Sequence, residues 1–201
     1  MAELETKHPL QTGWSLWFDS HSSIKSSSNW SNHIKCVYTF NFVEDFWSLY
    51  HNIKPASELA TGTDYNIFRE GIEPAWEAPK NVGGGKWMVS LPPKQRATLL
   101  DNRWMYTLLA CVGEQLEEPE TEVGIVCGTV LSVRKQADRL AVWTRAATEE
   151  QIMAVGRRFQ LALAEHTKGD QITFNYYPHE AAASVSKSKN VPAKFTLPPL
   201  P

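Results

Sequence analysis

Seven side chains in this 201-residue sequence are suited to holding a flat, positively charged ring that carries phosphates. Two indoles can stack on such a ring, and they bind a cationic ring more strongly than a neutral one. A carboxylate can accept two N–H hydrogen bonds from the edge of a base, while lysine and arginine bind phosphates. The residues of these types at suitable positions are Trp30, Trp76, Glu77, Lys86, Arg134, Arg139 and Trp143.

Two of these tryptophans have unusual surroundings. Trp30 lies in Ser-Asn-Trp-Ser-Asn and Trp76 in Pro-Ala-Trp-Glu-Ala-Pro, whereas a core tryptophan is usually embedded in an apolar segment. A 7-methylguanine nucleotide would use them, because N7-methylation gives its base a delocalised positive charge. Arg134 closes one predicted strand and Arg139 opens the next, so both could converge on phosphates at one end of a sheet. On composition alone, tryptophans that merely cover the core are an equally good interpretation.

Patterns typical of catalytic or metal sites are missing from the sequence. The Gly-Gly-Gly-Lys run at 83–86 is not a P-loop, because the first glycine spacing is absent and Trp87 replaces the magnesium-binding Ser or Thr. The acidic pairs at 44–45 and 117–118 are interpreted as a helix N-terminus and a solvated loop, and most of the six histidines as solvated. We therefore expect a binding protein, not an enzyme, without catalytic residue, metal or cofactor.

Composition restricts the class of protein further. The formal net charge of −2 argues against coating of nucleic acid by bulk electrostatics, although it allows a local basic pocket. Three cysteines without close pairing indicate a reducing compartment. The N-terminus is polar and no apolar run is long enough to cross a membrane, so we expect no membrane partner and a location in the cytoplasm or also the nucleus.

Hydrophobic periodicity predicts the elements that position these side chains. The predicted strands are 14–18, 36–42, 65–68, 86–91, 125–134, 139–145, 171–177 and a short strand at Phe195. The predicted helices run from Val43 to before Pro55, over 94–113, and from Thr148 to about His166, the last starting with a Thr148/Gln151 capping box.

This element order predicts an α+β fold in a single domain over residues 1–201. We expect a curved, mainly antiparallel sheet of about eight strands, backed by three α-helices on its convex face. Residues 1–7 are expected to form a flexible N-terminus and 181–192 a mobile loop, because the latter is a low-complexity Ala, Ser and Lys segment.

A second apolar stripe lies on the predicted helices. Val43 and Trp47 are four residues apart and share a face, and Met105, Leu109 and Gly113 repeat at four-residue steps off the main stripe of the next helix. An apolar stripe usually belongs to the core, but of two stripes on one helix one should be outside. An exposed tryptophan in an apolar patch suits a partner that docks as a helix.

Four segments carry a resemblance to a known family. They are His-Pro-Leu-Gln-Thr-Gly-Trp-Ser-Leu-Trp at 8–17, Val-Glu-Asp-Phe-Trp-Ser-Leu-Tyr at 43–50, Gly-Ile-Glu-Pro-Ala-Trp-Glu at 71–77 and Cys-Gly-Thr-Val-Leu-Ser-Val-Arg at 127–134. These segments closely resemble eukaryotic translation initiation factor 4E, a family that binds the 7-methylguanosine cap of mRNA. The likeness runs from about residue 8 to 177, in order and at near-family spacing.

The resemblance implies a role for each candidate pocket residue. Trp30 and Trp76 match the stacking tryptophans, and Glu77 matches the carboxylate on the guanine edge. Trp143 matches the residue beside the N7-methyl group. The residues that match the phosphate-binding positions are Lys86, Arg134 and Arg139.

On the helices, the resemblance implies a docking surface for a helical peptide of the scaffold factor 4G or of a 4E-binding protein. The residues assigned to this docking surface are His8, Pro9, Leu10, Val43, Trp47, Met105, Tyr106, Leu109 and Gly113. The implied function is to bind capped mRNA and recruit it to the translation initiation machinery.

Departures from the family pattern keep a second function open. Lys86 stands where many members have arginine, and Gln136 where a phosphate-binding lysine is common. Tyr106 replaces an acidic residue that commonly pairs with a basic residue of the partner. The alternative is therefore a weak cap-binding member that represses translation or sequesters a partner. An enzyme that hydrolyses caps would need an acidic metal cluster or a nucleophile, and the sequence offers neither.

The low-complexity loop contains Ser184, Ser186 and Ser188, at the place where the family has a mobile loop near the cap phosphates. A phosphate on one of these serines would repel the RNA backbone. The alternative is a loop without that role.

Overall fold

The computed structural model describes residues 6–20, 34–117, 124–167, 170, 172–180 and 192–200. The predictions for Trp30, for the three serines of the low-complexity loop, for residues 1–5 and for 181–191 lie outside the described residues.

The strands of the described chain form one curved antiparallel sheet. Their bounds are β1 Pro9–Ser20, β2 Ile34–Phe42, β3 Thr63–Arg69, β4 Gly85–Leu91, β5 Val126–Ser132, β6 Asp138–Thr144, β7 Phe174–Pro178 and β8 Phe195–Leu197. The spatial order is β2-β1-β3-β5-β6-β4-β7-β8, and every neighbouring pair is antiparallel. The predicted α+β fold is confirmed.

Within the described ranges, four α-helices accompany the sheet: α1 Val43–Asn52, α2 Asp101–Val112, α3 Glu149–Ala162 and the short α4 Ala164–Thr167. The predicted capping box of α3 is confirmed, since the Gln151 N–H donates to Thr148 Oγ1 at 3.3 Å and the Thr148 N–H to Gln151 Oε1 at 3.0 Å. In the described ranges no helix combines the length and the apolar character needed to span a membrane.

The helix predicted over 94–113 begins later than expected. Pro93–Gln95 form a 3₁₀ turn and Arg96–Leu100 a π-helical turn, and α-helical geometry starts at Asp101. Two successive prolines at 92 and 93 account for the irregular start, because proline lacks an N–H and restricts the residue before it. The helix predicted to end near His166 is interrupted at Leu163, so its last turn is α4.

Strand β4 shows how the sheet separates a core from a ligand-facing surface. Trp87, Val89 and Leu91 are buried in the main core, whereas Lys86 and Met88 lie on the opposite face, as alternation in a strand requires. The indole N–H of Trp87 donates to the Ile152 carbonyl of α3 at 2.8 Å, which ties the helix to the sheet. The face that carries Lys86 is therefore turned away from α3.

The prediction of a solvated loop at 117–118 is wrong for Glu117. The Glu117 carboxylate is 6% exposed, and it accepts a hydrogen bond from Arg69 Nη2 at 2.7 Å and three more from backbone N–H groups of residues 124–126 at 2.9–3.0 Å. Glu114 pairs with the same guanidinium. Arg69 ends β3, far away in sequence, so its charge allows a carboxylate that looked solvated to be buried.

Candidate functional site

A cavity of about 280 Å³ opens on the sheet face that carries Lys86. Five of the seven residues predicted to bind a ligand line it, and Glu77 follows Trp76 as an exposed residue outside the lining. We call this cavity the pocket. Its lining residues are Asp64, Asn66, Pro74, Trp76, Lys86, Met88, Val130, Ser132, Arg134, Arg139, Ala141, Trp143 and His179.

Cross-strand register gives the pocket two ends. Lys86 on β4 is paired with Trp143 on β6 at one end. Ser132 on β5 is paired with Arg139 on β6 and with Asp64 on β3 at the other. Arg139 and Trp143 share a face because they are four residues apart, roughly 13 Å along the strand. Arg134 and Arg139, which the sequence predicts to converge at one end of the sheet, both line the pocket, and their role in phosphate binding stays a prediction.

The two described tryptophans of the pocket differ in accessibility. Trp143 is 9% exposed and packs edge-on against Phe68, with ring centroids 5.4 Å apart and an interplanar angle of 77°. Trp76 is 42% exposed in the loop between β3 and β4. Stacking requires an open indole face, so Trp76 can act as a stacking platform while Trp143 forms a wall.

Asn81 shapes the loop that carries Trp76. It is fully buried, and its Nδ2 donates to the Glu73 carbonyl at 2.9 Å and to the Ala75 carbonyl at 2.7 Å. Its own N–H donates to the Ala78 carbonyl at 2.8 Å. The loop is thus held from inside on both sides of Trp76. Sequence reasoning missed Asn81, because an asparagine in a loop gives no sign of being buried.

Arg134 already has an anionic partner inside the protein. Its Nη1 lies 2.7 Å from Asp64 Oδ1, and its Nη2 donates to Asp64 Oδ2 at 2.8 Å. Nη1 also donates to the carbonyls of Thr63 and Val133 at 3.2 and 3.1 Å. The guanidinium is therefore fixed in orientation, and part of its charge is balanced before any ligand arrives. Asp64 was not singled out from the sequence.

The turn after Arg134 is held by a buried aspartate. Asp138 is fully buried, accepts from the Arg134 N–H at 3.1 Å, and accepts from Arg96 Nε and Nη2 at 2.8 and 2.7 Å. Arg96 also donates to the Arg134 carbonyl at 2.8 Å. These bonds fix the β5–β6 turn that presents Arg134 and Arg139. Gln136 is exposed in this turn.

Positive charge exceeds negative charge in the pocket lining. The lining contains Lys86, Arg134 and Arg139 against the single carboxylate of Asp64. Burial, and then the nearby charge of Arg139, lower the pKa of Lys86 from its ordinary value, while Asp64 acts in the opposite direction. Lys86 Nζ also lies 5.7 Å from the centre of the Trp143 ring. Such a lining favours a ligand that carries several negative charges.

His179 lines the pocket, although the sequence did not indicate this. It directly follows β7, is 2% exposed, and its ring lies against Trp143 with centroids 4.2 Å apart. Burial first, and then the charge of Lys86, lower the pKa of His179 to about 3, so the imidazole is neutral at physiological pH. It is an exception to the expectation that most histidines are solvated.

The N-terminal part of the docking surface is tied to α1 by exposed polar contacts. Lys7 Nζ lies 2.7 Å from Asp45 Oδ1, and the His8 N–H and Nδ1 meet the Glu44 carboxylate at 2.9 and 2.6 Å. These hydrogen bonds from His8 lower the pKa of Glu44 to about 2. The acidic pair does occupy the first turn of α1, as predicted, and the Val43 N–H donates to the His8 carbonyl at 2.9 Å.

The helical part of the docking surface presents aromatic side chains. Trp47 is half-buried, packs on Phe46 at 5.0 Å and stacks on His51 at 5.7 Å. Tyr106 on α2 is 38% exposed, and its ring lies 4.1 Å from that of His166. Leu10, Trp47 and Leu109 pack against the main core, Met105 is half-buried, and Pro9 and Gly113 are exposed. The role of these residues in docking stays a prediction.

This chain is similar in sequence to a known family of proteins. The family described as "Eukaryotic initiation factor 4E" matches residues 9–193. A similar protein is eukaryotic translation initiation factor 4E of Aplysia californica, 36% identical over 196 residues, which is 97% of this chain and 86% of that protein.

Solved structures with the same fold include two complexes. One is C. elegans eIF4E-3 with the 4E-binding protein Mextli and a cap analogue, with a TM-score of 0.80, 34% identity and coverage of 96% of this chain and 100% of that one. The other is schistosome eIF4E with m7GpppG and 4E-BP, with a TM-score of 0.83, 28% identity and coverage of 96% and 100%.

Proposed function

The chain belongs to the eukaryotic initiation factor 4E family, and from that premise we propose that it binds the 7-methylguanosine cap of mRNA and recruits it to the translation initiation machinery. The observation that carries the proposal is the pocket in which Trp76, Trp143 and three cations meet. The C. elegans protein was solved with a cap analogue and the schistosome protein with m7GpppG, each together with a partner protein, which supports both cap binding and peptide docking.

The base would bind at the Trp143 end of the pocket. Trp76 offers an open indole face, and a methylated guanine gains cation–π attraction there beyond ordinary stacking. The carboxylate of Glu77, next to it in the loop, would accept the N1–H and 2-amino hydrogens of guanine in a charge-assisted pair of bonds. Trp30 remains the predicted second platform. Discrimination against unmethylated guanine would come from the charge on the ring.

The phosphates would be bound by Lys86, Arg139 and Arg134. Burial and the nearby charge of Arg139 disfavour the charged form of Lys86. A triphosphate would offset the repulsion between these two cations. Arg134 would share its guanidinium with Asp64, which makes it a weaker phosphate ligand than an unpaired arginine. This part of the affinity should decrease as salt concentration rises.

A tryptophan-fluorescence titration with 7-methylguanosine triphosphate, compared with GTP at the same salt concentration, tests the proposal. We expect strong quenching by the methylated ligand and weak quenching by GTP. Equal responses, or no response to either, would contradict cap recognition in this pocket and make the docking surface the main site of function.

The partner would be a helical peptide of a scaffold factor 4G or of a 4E-binding protein, docked on α1 and α2. One observation favours the alternative function of a repressor that sequesters a partner. Tyr106, in place of the family's acidic residue, lies with its ring tilted against that of His166 and offers no carboxylate to a basic partner residue. If 4G-type peptides fail to bind while cap binding is intact, the repressor function is supported.

We expect stoichiometric binding without turnover. Within the described ranges, no group of three or more His, Cys, Asp or Glu residues is placed to hold a metal ion. Cap analogue incubated with the protein and magnesium should be recovered intact. The appearance of cleaved product would make the protein a hydrolase.

A further inference from the structure

His179 is a buried polar group that the proposed cap contacts do not use. It is 2% exposed and lines the pocket. Nε2 has no hydrogen-bond partner within the described part of the chain. A buried nitrogen without a partner lowers the stability of the folded protein, so a site that retains one needs a reason.

The surroundings of His179 indicate what would satisfy this nitrogen. One face of the ring lies against Trp143, and the His179 backbone N–H donates to the Gly84 carbonyl at 3.0 Å, so the residue is held at the Trp143 end of the pocket. Lys86 is close enough for its charge to disfavour protonation of the imidazole. A second cation would be repelled there, whereas a negatively charged acceptor would be attracted by Lys86.

We propose that His179 is a further ligand-contacting residue, whose Nε2–H donates a hydrogen bond to the phosphate oxygen of the bound cap that lies beside Lys86. The proposal rests on the proposed cap-binding function. A neutral imidazole can carry its proton on either nitrogen, so Nε2 can donate without adding a positive charge beside a cationic base. His179 would thus connect base recognition at Trp143 with phosphate binding at Lys86.

A purely structural role makes a different prediction. If His179 only supported Trp143 by ring packing, phenylalanine would replace it without loss, because it also presents a flat ring. Only the nitrogen distinguishes the two roles. The contrast between a nucleoside and its triphosphate then isolates the phosphate contact from the base contact.

Calorimetric titration of wild type and His179→Phe with 7-methylguanosine and with its 5′-triphosphate tests the proposal. We expect the variant to bind the triphosphate about tenfold more weakly, as for loss of a hydrogen bond to a charged group, and the nucleoside within about twofold of wild type. His51→Phe, at an exposed position of α1 outside the pocket, is the matched control and should change neither affinity. Equal losses for both ligands, or no loss for the triphosphate, would overturn the proposal while leaving cap binding established by the wild type.

A second measurement on the unmodified protein keeps the test independent of how the variant folds. The ring ¹⁵N signals of His179 can be recognised near pH 5, where its imidazole remains neutral. We expect its Nε2 signal to shift with the triphosphate and to stay nearly unchanged with the nucleoside. An unchanged signal in a saturated triphosphate complex would overturn the proposal, and failure of wild type to bind either ligand would overturn the cap-binding function as well.

Discussion

The pocket and the docking surface are held in place by different kinds of contact. In the pocket, the loop of Trp76 is fixed by fully buried Asn81, and the turn of Arg134 by fully buried Asp138. At the docking surface, the N-terminal segment is tied by exposed pairs of Lys7 with Asp45 and His8 with Glu44. Buried hydrogen bonds hold a loop rigidly, while exposed ion pairs contribute little and are screened by salt.

This difference suits the two proposed ligands. A small rigid cap is bound most tightly by a pocket whose parts are already in place, because less conformational freedom is lost on binding. A helical peptide covers a larger surface and tolerates adjustment at its edge.

The largest expected effect is the removal of the accessible indole. Trp76→Ala should abolish retention on cap resin and lower the affinity for 7-methylguanosine triphosphate by about a hundredfold, since stacking on a base contributes about 1–3 kcal/mol. Trp47→Ala should retain cap binding and weaken peptide docking. Near-normal cap retention by the first variant would refute the stacking role, and loss of both activities in the second would indicate misfolding.

A smaller effect is expected from a pair of lysines. Lys86→Gln should weaken triphosphate binding about tenfold and reduce the dependence of log affinity on log salt by about one, as for loss of one phosphate contact. Lys7→Gln, which removes the exposed partner of Asp45, should leave both quantities unchanged. A salt slope that is the same in Lys86→Gln and wild type would show that Lys86 does not bind phosphate.

A comparison of two asparagines tests the buried loop contacts. Asn81→Ala removes two hydrogen bonds from a buried side chain to loop carbonyls and should lower the free energy of unfolding by about 1–3 kcal/mol, with an about threefold loss of cap affinity as the Trp76 loop loosens. Asn52→Ala removes one exposed bond, to the Ser48 carbonyl, and should change stability by less than about 0.5 kcal/mol. Equal destabilisation in denaturant titrations would remove the distinction between the regions.

The smallest effect concerns the exposed hydrogen bonds between His8 and Glu44 at the docking surface. The hydrogen bonds from His8 lower the pKa of Glu44 from 4.5 to about 2. Because the pKa is depressed in the folded protein, the stabilisation that these hydrogen bonds give is fully present above about pH 4.5. It is lost as the pH falls towards 2. The carboxyl ¹³C signal of Glu44 should titrate near pH 2 in wild type and at a higher pH in His8→Ala, which loses the ring contact but keeps the backbone N–H of residue 8. A wild-type titration midpoint near pH 4.5 for Glu44 would show that its hydrogen bonds with His8 do not form in solution.

Local patterns in the sequence determined much of the fold. Alternation of apolar and polar residues placed β4 and put Lys86 and Trp87 on opposite faces, and the Thr-x-x-Gln pattern placed the start of α3. The type of side chain indicated Trp76, Lys86 and Trp143 as ligand-binding candidates, and all three line the pocket. These features depend on neighbouring residues or on side-chain chemistry, which a sequence displays directly.

The tertiary structure alone decided which polar residues are buried and what they meet. Glu117 is buried because Arg69 reaches it from β3, Asp64 engages Arg134 across the sheet, and His179 lies against Trp143. Each partnership joins residues more than thirty positions apart, so no local pattern contains it. Burial of a polar group is favourable only with a partner, and the partner's position is a property of the folded chain.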